Sequence, residues 1–491
     1  MSISFIDHVP VRIGTTDELE HVADVLQKAS FDEETICRKL RLKDLSDTGW
    51  LRNDEDISPE LRLLIRIFFQ SKVAPRDEVE RVFDRATIDA FLSLGLLGIG
   101  EFGDDQYYAR CWLYPVSGYF IASDRYSMPD GSAFRPPPDI AFPAIFQGSL
   151  QFLKLLPQGI NGDVLDLCAG VGIGALVLSH EGARVVSTDL SERATQFARF
   201  NCALNQRDNI EVLRSDLYNA VAGRTFDCIV AHVPWITEVG GGVHDGYAGG
   251  ESLVKRLVEG LTESLRPGGF CFALTQGRDT KEGKFEERVR TWLKDQADEF
   301  DILFAYFQEL TSQEILKTIA RRDRTSGPEK MAKLETEFEL AGLSQMLFGG
   351  LFIRRHKGRS HEPWTVRRKL SEATRGPDVM SALILHEWVS DPERILESTP
   401  HLAPQLRITS TQVVQEAALV PGEFIFETDK PFVARDSFDA STARVLARFD
   451  GKTTVAKLSE DAMRQEEFVT LISHALESGY LDLGHSQYHL R

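Results

Sequence analysis

The spacing of apolar positions changes character several times along the chain. From residue 15 to 97 they recur every three or four residues. Leu19, Val22, Ala23, Val25 and Leu26 follow the capping-box sequence Thr15-Thr16-Asp17-Glu18, and further helical patterns run near 32–42, 58–70, 74–84 and 87–97. The runs 106–114 and 118–123 are rich in aromatic and apolar residues and meet at Pro115-Val116-Ser117, which predicts a hairpin. Helices followed by a hairpin suggest a winged-helix-like module over residues 1–127 that grips substrate or a partner. A Pro- and Gly-containing linker, Met128 to Pro138, leads to short apolar runs at 163–167, 183–188, 209–213 and 226–230 with helical stretches between them. That alternation predicts parallel strands covered by helices. After about residue 371 the chain reads as a separate helical segment, including 379–389.

Chemistry concentrates at the ends of the four strands. Asp166 closes the first, just before Gly170-Val171-Gly172-Ile173-Gly174-Ala175. Strand, glycine turn and helix form a nucleotide-binding unit, a pattern shared with dinucleotide sites. A buried carboxylate there would repel a pyrophosphate on the helix N-terminus and favour a cationic ammonium group. That selects S-adenosyl-L-methionine over NAD. Asp189, followed by Leu190, ends the second strand and is placed to accept ribose hydroxyls. Asp216-Leu217 follows the third and is placed to take an adenine amino group. After the fourth comes His232-Val233-Pro234-Trp235, in the slot where an acceptor must meet the methyl group.

These residues resemble class I S-adenosylmethionine-dependent methyltransferases over about 141–280. The stretches 187–194 and 198–205 are similar to the branch of release-factor glutamine and ribosomal-RNA guanine N-methyltransferases, as are 245–253 and 265–270. The resemblance implies a Rossmann-like, seven-stranded α/β core over 128–370, with 300–307 and 349–354 as its last two strands and a long helical stretch, about 311–342, between them. It implies that Asp166, Cys168, Gly170, Gly172 and Gly174 hold the methionine end of the cofactor. Asp189 and Leu190 would hold the ribose, Asp216 and Leu217 the adenine, and His232, Pro234 and Trp235 would serve the acceptor. The branch carries Asn or Asp where this chain has His232. A neutral imidazole can accept one hydrogen bond or act as a base near neutral pH. N-methylation of a small-molecule or peptide acceptor is therefore expected, with O-methylation by a His232 base, RNA N-methylation and a non-catalytic assembly role as alternatives. The tail over 438–481 resembles small winged-helix domains that present precursor peptides to modifying enzymes, and a packing or dimerisation module is the other reading of residues 371–491.

The formal charge of −18 opposes general attraction to phosphate backbones. RNA would need the basic runs at 321–324 or at 354–359 with Arg367, Arg368 and Lys369. The six cysteines form no Cys-x-x-Cys pair and are expected to be reduced thiols; no metal site is expected. No basic-then-apolar leader or membrane-length apolar run is seen, so a soluble cytoplasmic protein is expected. Oligomeric state is not legible.

Overall fold

In the computed structural model, the described residues are 9–47, 57–179, 182–234, 250–322, 328–340, 342–358, 361–459 and 464–484. The chain divides into two compact units, residues 1–265 and 266–491.

In the first unit the four apolar runs form β1 (Asp163–Leu167), β2 (Arg184–Asp189), β3 (Ile210–Arg214) and β4 (Phe226–His232), all parallel and ordered β4-β1-β2-β3. Val164, Leu165, Val185, Val186, Ile229 and Val230 are buried, as expected of strands covered on both faces. The helices are α1 (Gln147–Lys154), α2 (Ile173–Ser179), α3 (Glu192–Leu204) and α4 (Gly250–Ser264). Strand order reverses between β1 and β4, and at such a switch point the carboxyl ends open into a crevice. This is the Rossmann-like arrangement expected from the alternating pattern.

Ahead of this sheet, helix Thr16–Lys28 carries the capping box: Thr15 Oγ1 accepts from the Glu18 amide at 3.2 Å while the Thr15 amide donates to Glu18 Oε2 at 2.8 Å. The helices Glu33–Leu40, Pro59–Leu64, Arg76–Val82 and Arg85–Ser93 follow, with Ile65–Phe69 continuing the third as a π-helical turn. The run 106–114, expected as one strand, is two. The Arg110 amide turns to Leu96 O at 2.9 Å, so Gly103–Ala109 lies between Ala74–Pro75 and Leu97–Gly100, while Trp112–Val116 pairs with Tyr119–Ser123.

That second hairpin is fastened to α3. Asn201, fully buried, accepts from the Ala122 amide at 2.8 Å and donates to Ala122 O at 3.0 Å and Val171 O at 2.9 Å. Asn205 repeats the exchange on Phe120, at 2.9 and 2.7 Å. Two side-chain amides thus take the place of a neighbouring strand. At the second residue of α3, Arg193 grips Asp124 through two bonds of 2.6 and 2.5 Å, both residues buried.

The second unit holds β5 (Leu265–Asp279, of which only Leu265 belongs to the first), β6 (Phe300–Thr311), β7 (Gln345–Arg355) and β8 (Thr365–Lys369), ordered β8-β6-β7-β5. Strand β7 runs antiparallel to β5 and β6, and β8 is parallel to β6. The helical stretch before β7 is Ser312–Arg322 and Pro328–Leu340. Strand β8 lies on the basic run and was not anticipated. One of its three charges is consumed internally: Arg367 binds Asp279 and Glu286 at 2.7 and 2.5 Å. Arg354, 1% exposed, pairs with Glu387, and Arg355 pairs with Glu299 at 2.6 Å. The C-terminal segment contains the expected helix, α5 (Gly376–Val389), and ends with α6 (Gln465–Glu477). It also holds a three-stranded antiparallel sheet, Arg407–Gln415, Ala418–Thr428 and Ala434–Phe438, whose strands the helical, winged-helix-like reading did not locate. Ile408, Thr409, Thr411, Val413 and Val414 supply the β-branched composition that favours it.

Asn201 carries a prediction. Asn201→Leu leaves the Ala122 amide and two carbonyls without their partner, at about 1–3 kcal/mol for a buried unsatisfied group. The thermal transition of the variant, followed by circular dichroism, should fall by several degrees, and an unchanged transition would show that the amide clamp does not hold the hairpin.

Candidate active site

The site is built around a dehydrated acid. Asp166, 1% exposed, ends β1 with neither carboxyl oxygen in a hydrogen bond of good geometry. The Ala175 amide at the start of α2 is near enough to favour the charge without satisfying it, and burial pushes the pKa up to about 8. A Cβ on Gly174 would lie 2.7 Å from Asp166 Oδ2 and 3.0 Å from Phe152 Cε1, so this glycine allows the helix to approach the acid. Gly172 (φ 82) similarly admits Ala198. Gly170 differs: its φ of 56 suits glycine, yet nothing lies within 4 Å of where a Cβ would be. The turn is therefore tight on the α2 side and open at Gly170.

Asp189 is oriented by backbone. Oδ2 accepts from the Gly170 amide at 2.9 Å and Oδ1 from the Ser191 amide at 2.8 Å, which aligns the carboxylate with the glycine turn. Leu190 beside it is 49% exposed, an apolar surface next to the acid. Asp216 is paired with Arg256 of α4 at 2.8 Å, and both side chains are over 40% exposed, so the pair contributes little stability. With Leu217, Tyr218, Asn219 and Glu259 they line a cavity of about 260 Å³. Cys168 (φ 55) sits in the middle: burial first, then the fields of Asp189, Asp166 and Asp216, push its thiol well above the ordinary range. It is a neutral thiol, and the three acids surround it.

His232 ends β4. The pairs Asp166↔Val230 and Leu167↔Ala231 put it one step past the end of β1, and its ring stacks on Phe152 at 5.3 Å and 16°. The residue keeps some accessible surface, but the ring is enclosed and burial pushes its pKa down to about 4. The near-neutral ionisation expected of a base is thus displaced. Val233 is buried and Pro234 half-buried; Trp235 lies outside the described residues. Phe152 and Arg256 were not anticipated. Phe152 reads as one more apolar position of α1 and Arg256 as one charge on an amphipathic helix, with nothing in either pattern to set them apart.

Residues 143–303 match the family Methyltransferase small domain. This segment is an S-adenosylmethionine-dependent methyltransferase domain. The chain is 34% identical over 134 residues to a release factor glutamine methyltransferase of Koribacter versatilis, covering 24% of this chain and 48% of that protein. It is 39% identical over 75 residues to the ribosomal protein uL3 glutamine methyltransferase of Xanthomonas campestris pv. campestris, covering 15% and 24%. To ribosomal RNA small subunit methyltransferase C of Yersinia enterocolitica it is 31% identical over 130 residues, covering 26% and 34%. The chain spans about half or less of each of these relatives. Among the described residues no helix of the chain is long and apolar enough to cross a membrane.

The methyltransferase domain's cofactor is S-adenosyl-L-methionine, and the residues present fit it. An orphaned buried carboxylate, a glycine turn open at Gly170 and an amide-aligned Asp189 suit a ligand with a cationic end and a ribose. Asp166 would face the cationic methionine end, Asp189 the ribose, and Asp216 with Leu217 the adenine.

With Asp166 facing the cationic end, its raised pKa would make binding a proton-coupled event. Near pH 7 the ligand-free acid is largely protonated, and a nearby cation lowers its pKa and releases the proton. Calorimetry in buffers of different ionisation enthalpy should detect a fraction of a proton released per ligand bound. Asp166→Asn should abolish the release and weaken affinity by roughly 10–100-fold, from the loss of a charged hydrogen bond of about 1.5–3 kcal/mol. The same shift sets the sign for stability. The folded acid binds a proton that the unfolded chain has lost between about pH 4 and 8, so ligand-free stability falls as pH rises through that window. Asp166→Asn removes this loss, and its melting temperature should gain on the parent more at pH 8 than at pH 5. Equal gains at both pH values would contradict the buried-acid assignment.

Proposed function

We propose that the protein transfers a methyl group from S-adenosyl-L-methionine to an NH2 nitrogen of a peptide or protein acceptor. The observation that carries this reading is His232: an enclosed imidazole, stacked on Phe152 at the end of β4, whose burial holds it neutral. A neutral ring offers one lone pair to an N–H donor. With a pKa near 4 it is a poor acceptor of a full proton at neutral pH, which disfavours a hydroxyl acceptor that must be deprotonated. An NH2 group asks less of the residue, because orientation by a hydrogen bond is enough and the surplus proton leaves after the nitrogen has bonded. Positioning the nucleophile in line then supplies much of the rate.

Peptide is favoured over RNA by charge. The net charge is −18, and Arg354, Arg355 and Arg367 of the basic runs are spent on Glu387, Glu299, Asp279 and Glu286. Arg324 lies outside the described residues. The glutamine methyltransferases among the relatives support the same direction. We further infer that the N-terminal elements, helix–strand–helix–helix–strand–strand from Pro59 to Ala109, act as a winged-helix-like substrate grip, and that residues 371–491 serve packing or peptide presentation.

Cell extract incubated with heavy-methyl cofactor and separated into peptide, small-molecule and RNA fractions should carry the label in peptide. Label confined to one RNA nucleotide at physiological salt would overturn the acceptor class. With saturating cofactor the single-turnover rate should be flat from about pH 5.5 to 8 as far as His232 is concerned, since its ionisation lies near 4. His232→Asn, which keeps an acceptor oxygen, should stay within about tenfold of the parent, whereas His232→Phe should lose roughly 10–100-fold, the value of one positioned hydrogen bond in a dry site. A rate step near pH 6.5 that disappears in His232→Asn would instead establish His232 as a base and favour O-methylation.

A further inference from the structure

Away from the methyltransferase crevice, three histidines and an aspartate converge in the interior of the second unit. Asp301, with 0% exposure, is the second residue of β6. Around it stand His356, just past β7, His361 in the segment before β8, and His386 on α5. His361 Nε2 is 2.8 Å from Asp301 Oδ2, and His356 Nε2 is 3.1 Å from Asp301 Oδ1. The ring centroids are 4.2 Å apart between His356 and His361 and 5.3 Å between His361 and His386. One ligand atom each from Asp301, His361 and His386 lies within 4.8 Å of the others.

We propose that Asp301, His361 and His386 bind a divalent transition-metal ion of the zinc class, with His356 packed beside the site against Asp301. The donor set, imidazole nitrogens with one carboxylate oxygen, is what zinc takes in tetrahedral sites. Three protein ligands leave the fourth tetrahedral position to water, and the ion joins strand β6 and the segment before β8 to helix α5.

Three independent features point to a ligand. His356 is only 6% exposed, and neither of its ring nitrogens has a hydrogen bond of acceptable geometry, although Nε2 is close to Asp301; a buried imidazole in that state has lone-pair and donor capacity unused. The outer contacts are those that orient metal ligands. His386 Nδ1 is 2.7 Å from Glu477 Oε1 on α6, which leaves Nε2 for the ion, and Asp301 Oδ1 accepts the Trp364 amide at 3.0 Å. Trp364 also stacks on His386 at 4.2 Å and 11°, fixing the ring plane and helping to keep the site dry. Finally, a dication held there would offset the charge of the fully buried Asp301 carboxylate.

The test uses the untagged full-length protein, because a histidine tag would bind the same ions. Metal analysis after chelator-free purification should find about one zinc per chain, and protein stripped by chelator should recover one equivalent of added zinc ion with a rise in melting temperature. Cobalt(II) in its place should give the visible bands of a tetrahedral nitrogen–oxygen site. The double variant His361→Ala/His386→Ala should bind no zinc. Should that variant not fold, Glu477→Gln decides: it keeps every protein ligand and should weaken zinc affinity by roughly 10–100-fold. Stripped, folded protein that takes up no zinc and melts at the same temperature with or without it would overturn the proposal, as would uptake unaffected by both variants.

Discussion

Everything in the crevice is arranged around a carboxyl group that the fold has taken out of water. Asp166 sits on a central strand, under the first turn of α2, with no partner for either oxygen. Such a group destabilises the ligand-free fold, and packing alone gives no reason to keep it: a Leu at the same place would bury apolar surface at no electrostatic cost. The surroundings are specialised to hold it. Gly174 is bare because a side chain would strike the carboxylate, Phe152 closes the remaining side, and His232 packs on Phe152. With the cofactor's cationic end placed beside Asp166 as proposed, the ligand's charge would offset that cost, so the acid's desolvation and the affinity for ligand would be two views of one term.

The second constraint is how the crevice is held in register with the chain that precedes it. Helix α3 presents Phe197 and Phe200 to the core, and on the same helix Asn201 and Asn205 complete the backbone hydrogen bonding of strand Tyr119–Ser123. That strand would otherwise expose an unpaired edge, a liability in any sheet. Asn201 also donates to Val171 O inside the glycine turn, so one amide couples the hairpin to the loop that faces the ligand. The Arg193–Asp124 pair anchors the other end of the helix, and Asp124 further accepts the Ala141 amide at 2.8 Å, which ties down the linker entering the domain. In the resemblance to glutamine and ribosomal-RNA methyltransferases, Asn201 and Asn205 belong to the matching stretch; here their work is structural.

Legibility in the sequence followed the range of the interaction. The parallel strands were visible because each is a local apolar run, and Asp166, Asp189 and Asp216 because each lies at or just past the end of one. Where local composition and tertiary role diverge, the reading failed. Strand β8 reads Thr-Val-Arg-Arg-Lys, a solvated run by composition, yet Arg367 is neutralised by acids on β5 and the helix Phe285–Trp292 that lie far off in sequence. The run 106–114 looked continuous because its break at Arg110 is a backbone turn that leaves no mark on hydrophobicity. Phe152, Arg256 and the histidines around Asp301 acquire meaning only by convergence, and no period in the sequence encodes that.

The fate of the basic residues bears on what the enzyme can recognise. A protein that reads RNA through its backbone keeps arginines free on the surface, because the gain comes from exchanging condensed counterions for fixed cations. Arg354, at 1% exposure over the ring of Phe270 and paired with Glu387, has no such freedom, and freeing Arg367 would leave two carboxylates stranded at the edge of β5. Paired internally, these arginines tie strands to a neighbouring strand and to helices instead of displaying charge. The same surplus of acids that consumes them leaves the protein at −18, so its long-range field draws in cations and cationic peptide segments and repels polyanions. An acceptor that approaches with its own positive charge, and offers a neutral NH2 to a neutral imidazole at close range, satisfies both the far field and the near contact.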